Sequence, residues 1–186
     1  TGCNSAVIML NNKLKSASED NELKKTTQIL VYGNTISAVA AAVTAARMGY
    51  KTIIAANRKH LGGVVCSLGA LETHYTGVRS PLLVEIKNKI ISYYLEKFGS
   101  DSEEYITCTT LDPNNPMITY EPHVMGAVLE KLILNEELIT VIRELRLYDA
   151  KVQVDNSGRK IISAVRFTDS EKQKISIEAS IFIDSS

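Results

Sequence analysis

One stretch near the start of the sequence narrows the fold more than any other: Thr27-Gln-Ile-Leu-Val-Tyr-Gly33, followed at once by Asn34-Thr35-Ile36-Ser37-Ala38 and a run crowded with alanine. A short, nearly unbroken apolar run ending in glycine is the pattern of a strand buried on both faces, as the central strands of parallel sheets are. The next segment, 37–48, carries Ala40, Ala41, Ala42, Ala45 and Ala46. Alanine favours helix, and its small side chain lets a helix lie close to a sheet. Gly49 stands where the helix should stop, and 51–56 (KTIIAA) reads as a second strand. Strand, helix and strand within about 30 residues make one βαβ unit.

Further along, Ser80-Pro81 opens a helix as N-cap and first-turn proline, with Leu83, Ile86, Ile90, Tyr94 and Phe98 at helical spacing and Gly99 at its end. Residues 100–120, which contain the run DPNNP, read as an irregular excursion. A third helix starts near Pro122, with Val124, Val128 and Leu132 on one face, and 138–143 is a strand. Alternating segments at 147–154, 161–168 and 174–178, separated by Asp155-Asn-Ser-Gly158 and Asp169-Ser-Glu171, read as an antiparallel meander. Residues 181–184 form a last apolar strand. The expected fold class is therefore α/β: a Rossmann-like parallel sheet with flanking helices and a small antiparallel β meander. Residues 1–26 are expected to be a disordered tail or linker and 27–186 the domain.

The balance of charge excludes some partners. Lys+Arg and Asp+Glu stand at 21 each and there is no Trp, so neither a net field nor a basic, aromatic-laced block points to nucleic acid. No apolar run reaches the length that spans a bilayer. Cys3, Cys66 and Cys108 are far apart, as are His60, His74 and His123, so no metal site is expected. No segment marks a protein partner. The N-terminal Thr1-Gly2-Cys3-Asn4-Ser5 has the form of a bacterial lipoprotein processing site, where a small-residue pair precedes the cysteine that is lipidated. Two readings stay open: an exported chain anchored to a bacterial membrane through lipidated Cys3, with the polar stretch 11–25 as its linker, or an incidental cysteine on the tail of a cytoplasmic protein.

The turn between the first strand and its helix asks for specific chemistry. Gly33, Thr35 and Ala38 occupy the three small-residue positions of a G-x-G-x-x-G fingerprint, here as G-x-T-x-x-A. The first position permits a tight turn, the second lets backbone approach a pyrophosphate, and the third lets helix pack on strand. The helix N-terminus then offers free N–H groups to phosphate oxygens. By itself a six-residue match also suits a βα turn with no ligand.

After the second strand the chain reads Ala56-Asn57-Arg58-Lys59-His60-Leu61-Gly62-Gly63. Coupled to the GNTISA turn, this HLGG run resembles the FAD-dependent oxidoreductases of the glutathione-reductase-like fold, and most closely the bacterial proteins known only by that description. Glu121-Pro-His123 and Phe182-Ile-Asp184 support the resemblance, which spans about residues 28–186. It implies that the chain is the N-terminal, cofactor-binding portion of such an enzyme, holding the ADP part of FAD. Gly33, Thr35, Ile36, Ser37 and Ala38 would form the pyrophosphate turn, and Arg58 and Lys59 would border the adenosine ribose. Leu61, Gly62 and Gly63 would form the loop on the flavin's phosphate and ribityl side. Asp184 would belong to the motif that continues with a Gly-Asp pair touching the ribityl chain; the sequence stops before that pair, so the domain is expected to be incomplete at its C-terminus. The substrate would be a small organic molecule, with no catalytic residue identifiable.

The sequence departs from this pattern where an acidic residue should grip the ribose hydroxyls, because Ala56 stands there. Losing that charge-assisted hydrogen bond costs about 1.5–3 kcal/mol. With Asn57, Arg58 and Lys59 next in the chain, the same corner would also suit the 2′-phosphate of NADP. Alternatively, the chain is a non-catalytic, lipid-anchored binding protein with a degenerate flavin fold. Cys66 has no second cysteine nearby and reads as a packing residue. His60 and His123 read as loop-bracing and structural. His74 and Arg79 fit a solvated loop as well as a substrate-facing one.

Overall fold

The computed structural model of the chain describes residues 22–71, 78–109 and 117–186. Strand β1 (Leu23–Tyr32) leads into helix α1 (Ile36–Arg47) and strand β2 (Thr52–Ala55). A one-turn helix α2 (Val65–Leu68), strand β3 (Ala70–Leu71), helices α3 (Pro81–Phe98) and α4 (Glu103–Thr109), and strand β4 (Ile118–Thr119) come next. Helix α5 (Pro122–Leu134), strand β5 (Ile139–Ile142) and the strands β6 (Arg146–Val154), β7 (Lys160–Thr168) and β8 (Lys174–Asp184) complete the order.

Six strands make one sheet in the order β5-β2-β1-β8-β7-β6. The first four run parallel and the last three are joined antiparallel as the meander. Alternation along β1 explains why its sequence is so apolar. Ile29 and Val31 enter the core beneath the helices, whereas Leu30 enters a second core with Ile53, Leu145, Val165, Phe167 and Ile177. A strand that must satisfy two apolar faces has no polar face to show.

The helices follow their local signals. The Thr35 hydroxyl caps α1 by accepting from the Ala38 amide at 3.2 Å, and Ser80 caps α3 by accepting from Leu83 at 3.2 Å with Pro81 in the first turn. Such a cap is worth about 1 kcal/mol. Ala38, Val39, Ala42 and Val43 of α1 are fully buried, which is what the alanine run predicts for a helix laid flat on a sheet. Arg47, in the last turn, donates to Glu85 of α3 and to Glu136 beyond α5, at 2.7 and 2.6 Å.

Several expectations need correction. β1 begins at Leu23, before the boundary expected at residue 27, because Leu23–Thr27 pair in parallel with Ile175–Ala179. The polar run LKKTT gives no local sign of this; the neighbouring strand imposes it. Residues 174–178 and 181–184 are one strand, β8, and not two. Its first half lies between β1 and β7, and its second half pairs with β1 alone among the described residues. The exposed Glu178 and Ser180 at its middle look like a break only in sequence. The described parts of the expected excursion, 100–109 and 117–120, carry regular structure: α4 buries Cys108, and β4 pairs antiparallel with β3. The run DPNNP lies outside the described residues, as do Cys3 and His74. No helix among the described residues is long and apolar enough to cross a membrane.

Candidate functional site

The four parallel strands end on one edge of the sheet, and the turn from β1 to α1 stands in the middle of that edge. In open α/β sheets the crevice at the carboxyl ends of the strands is where ligands bind. The expected site residues gather there from three stretches of chain: 33–38 after β1, 57–63 after β2, and Asp184 at the end of β8, beside Tyr32.

Gly33 holds the turn in a conformation that side-chain-bearing residues rarely adopt, φ +130°. A Cβ there would stand 2.2 Å from the Ser185 carbonyl oxygen, so the backbone following β8 lies directly against it. The Ser185 amide extends the ladder by donating to Tyr32 O at 2.8 Å. Thr35 uses its hydroxyl twice, accepting from Ala38 and donating to Ser185 O at 2.9 Å. That explains how the third fingerprint position accommodates a side chain: it is drawn toward the neighbouring strand. The first intrahelical bond runs from Val39 N–H to Thr35 O, and Thr35 caps Ala38. The amides of Ile36 and Ser37 therefore have no acceptor within the helix. A helix N-terminus of this kind suits a diphosphate.

The HLGG loop is brought against this turn. Gly62 donates to Asn34 O at 2.7 Å and forms a parallel bridge with Thr35. A Cβ on Gly63 would touch Thr35 Cα at 3.3 Å, so backbone meets backbone with no side chain between. Asn34 also donates from Nδ2 to His60 O at 3.3 Å. From the other side, Arg143 donates to Lys59 O at 2.9 Å and to Glu130 at 2.7 Å.

Not every expected residue faces the crevice. Leu61 is buried in the main core, and Ala38 lies fully buried between helix and sheet. Both anchor the site from beneath. Ile36 packs its side chain on the same core. Asn57, Arg58, Lys59 and His60 are exposed. Ala56 is fully buried, with its amide donating to Ile142 O at 2.8 Å. Asp184 is exposed and accepts from the Ser186 amide at 3.0 Å. A groove of about 780 Å³ opens beside the turn, between the 58–63 loop, the residues around Cys66 and the first turns of α5. Asn34, Arg58, Lys59, His60, Gly63 and His123 reach it.

Sequence reading missed Asn34, Arg143, Glu130 and Ser185. Asn34 occupies a variable position of the fingerprint, and the others act by hydrogen bonds that span from 13 to 150 residues of chain, for which no local pattern exists. Glu121 and His123 are structural: the Glu121 amide donates to the Tyr94 hydroxyl at 2.9 Å, that hydroxyl donates to the Glu121 carboxylate, and His123 Nε2 lies 3.4 Å from Tyr93 Oη. Burial pushes the Tyr94 phenol above its ordinary range, so it remains a hydrogen-bond donor. Among the described residues no group of His, Cys, Asp and Glu could hold a metal ion.

Cys66 is a packing residue of the loop. Its thiol donates to Leu61 O at 3.4 Å, and burial, with the Glu130 carboxylate adding to it, raises its ionisation above the usual thiol range. At neutral pH it is therefore a protonated thiol and a poor nucleophile. Peptide mapping after brief iodoacetamide treatment at pH 7 should find Cys66 alkylated more slowly than a free thiol, with the rate rising in alkaline buffer. Rapid labelling at pH 7 would show the thiol to be activated.

Comparison with known proteins bears on the fold and the family. None of the curated proteins matches the chain in sequence. Among solved structures, THI4 of Thermovibrio ammonificans superposes with a TM-score of 0.58 at 13% identity, over 100% of this chain and 66% of that one. The 3-ketosteroid-Δ4-(5α)-dehydrogenase of Rhodococcus jostii RHA1 gives 0.52 at 13% identity, over 86% of this chain and 46% of that one. The p-nitrophenol 4-monooxygenase PnpA of Pseudomonas putida DLL-E4 gives 0.54 at 9% identity, over 87% and 41%. At these identities the likeness is one of fold, and the chain spans less than two-thirds of the length of each. A family model described as FAD dependent oxidoreductase matches residues 28–186.

Proposed function

The chain belongs to the FAD dependent oxidoreductase family, and from that premise we propose that its strand–helix corner holds the ADP part of FAD in an enzyme oxidising or reducing a small organic molecule. FAD is the cofactor of this family, and the residues present fit it. The observation that carries the reading is the closure of Gly62-Gly63 onto the Asn34-Thr35 turn, at the N-terminus of α1.

In this reading the first turn of α1, at Ile36 and Ser37, receives the diphosphate. The Gly62-Gly63 backbone lies alongside, and Arg58 and Lys59 supply positive charge near the adenosine. Leu61 and Ala38 keep loop and helix seated on the core. The flavin, when bound, supplies the redox chemistry, and this stretch of chain contributes binding and orientation. The groove that Gly63, His60 and His123 reach gives the rest of the cofactor a place to lie. Lipidation of Cys3 and export belong to the same proposal; mass spectrometry of the N-terminus after bacterial expression tests them, and an unmodified Cys3 rejects them.

A second reading, an NADP-type site, rests on Ala56 standing where a ribose-gripping acid would be and on the exposed Arg58 and Lys59 beyond it. Thermal unfolding with each ligand separates the two. FAD at about a hundred times its Kd should stabilise the chain by about 2.7 kcal/mol, with NADPH much weaker. A rise with NADPH alone would install the second reading, and no rise with either would reject a dinucleotide site.

A further inference from the structure

The loop after β2 must hold one shape if Gly62 and Gly63 are to meet the phosphate turn, yet Asn57, Arg58, Lys59 and His60 are all exposed and leave the core. Its order comes from hydrogen bonds to its backbone. Asn34 takes one side, by its contacts with His60 and Gly62. The other side is held by a residue far away in sequence. Arg143 stands just past β5, at the same sheet edge, and its two terminal nitrogens point different ways. Nη1 donates to Lys59 O at 2.9 Å, and Nη2 donates to the Glu130 carboxylate on α5 at 2.7 Å. Guanidinium suits this task because its donors are fixed in a planar fork; a lysine ammonium could not keep both directions.

We infer that Arg143, aligned by Glu130, is a positioning residue that sets the 57–63 loop for the dinucleotide. It touches the loop's backbone and acts on the cofactor only through it, an inference that rests on the reading of this corner as a FAD site. The brace also suits a chain with Ala56 at the end of β2. With no acid there to fix the ribose, affinity depends on backbone amides and on the placement of Arg58 and Lys59, and both depend on the loop's shape. The pair is partly exposed, 30% for Arg143 and 36% for Glu130, so its effect on global stability should be small.

The test uses the full chain with Arg143→Met, Arg143→Lys and Glu130→Gln, reading FAD Kd by flavin fluorescence, thermal midpoint without ligand, and amide hydrogen exchange at Gly62. Arg143→Met should weaken FAD about tenfold and speed Gly62 exchange while the ligand-free midpoint stays within a few degrees of wild type. Arg143→Lys should recover only part of the affinity, and Glu130→Gln should lose less than Arg143→Met. A fall in midpoint with Kd and Gly62 exchange unchanged would make Arg143 merely structural and overturn the inference. Should wild type fail to bind FAD, the cofactor reading falls; unchanged Gly62 exchange in Arg143→Met would then reject the brace independently, and faster exchange would retain it as the element that orders the loop.

Discussion

Gly33→Ala is expected to lower the unfolding free energy by about 2–6 kcal/mol, the sum of backbone strain and overpacking, and to abolish measurable FAD binding. The residue sits at φ +130°, where a side chain is strained whatever the space around it. Space is also lacking, since the new Cβ would stand 2.2 Å from the Ser185 carbonyl oxygen and 2.9 Å from the Ser186 amide nitrogen. Those atoms are backbone and are held in place: Ser185 donates to Tyr32 O and accepts from Thr35 Oγ1. Relieving the clash means parting β8 from β1 at the edge where the site is built, and releasing the hydroxyl that caps α1. A urea midpoint that falls at unchanged slope is the expected signature. Gly126→Ala is the contrast, because that glycine lies within α5 with nothing within 4 Å of its Cβ position; there alanine should stabilise the helix by about 0.5–1 kcal/mol. If Gly33→Ala is as stable as wild type, the close approach of Ser185 is wrong, and with it the geometry of the corner.

The contrast between these glycines shows what a sequence can and cannot convey. The βαβ unit was legible because its causes are local: an apolar run needs two buried faces, an alanine run needs a flat seat, and Ser80-Pro81 is a cap whichever tertiary fold surrounds it. Gly33, Gly62 and Gly63 could be singled out as loop and turn residues for the same reason. The early start of β1 at Leu23 was hidden because parallel pairing with Ile175 lies about 150 residues away in the chain and leaves no periodic trace in LKKTT. The continuity of β8 was hidden by Glu178 and Ser180, polar residues that an exposed strand position tolerates. Arg143 and Glu130 were invisible for a further reason: one acts on a carbonyl and the other on a guanidinium, and neither contact selects a pattern of side chains nearby. Thr35 combines both cases. Its place in the fingerprint reads as room for phosphate, whereas in the structure its hydroxyl is committed to Ala38 and Ser185.

Gly62→Ala is expected to weaken FAD binding by about 10- to 100-fold, or about 1.4–2.8 kcal/mol, and to destabilise the chain by about 2–4 kcal/mol from strain and overpacking. The residue adopts φ +106°, and its Cβ would lie 2.5 Å from Cys66 Sγ and 2.7 Å from Leu129 Cδ1. Unlike the obstacle at Gly33, these are ends of side chains, so part of the cost should be recoverable. Cys66→Ala alone loses a thiol that donates to Leu61 O and should cost about 1 kcal/mol. Combined with Gly62→Ala it removes the nearer obstacle, and the double variant should be more stable than the sum of the singles predicts by about 1–2 kcal/mol, within the range seen for residues in contact. Leu129 is fully buried in the core and still opposes the new methyl, so recovery should be incomplete. FAD affinity should follow the same order, because displacing Gly62 parts the loop from Asn34 and moves Gly63 off the phosphate turn. Strict additivity of the two substitutions would mean that Cys66 does not pack against Gly62. An unchanged Kd for FAD in Gly62→Ala, with stability reduced, would separate the loop from the cofactor and leave the corner as a packing feature alone.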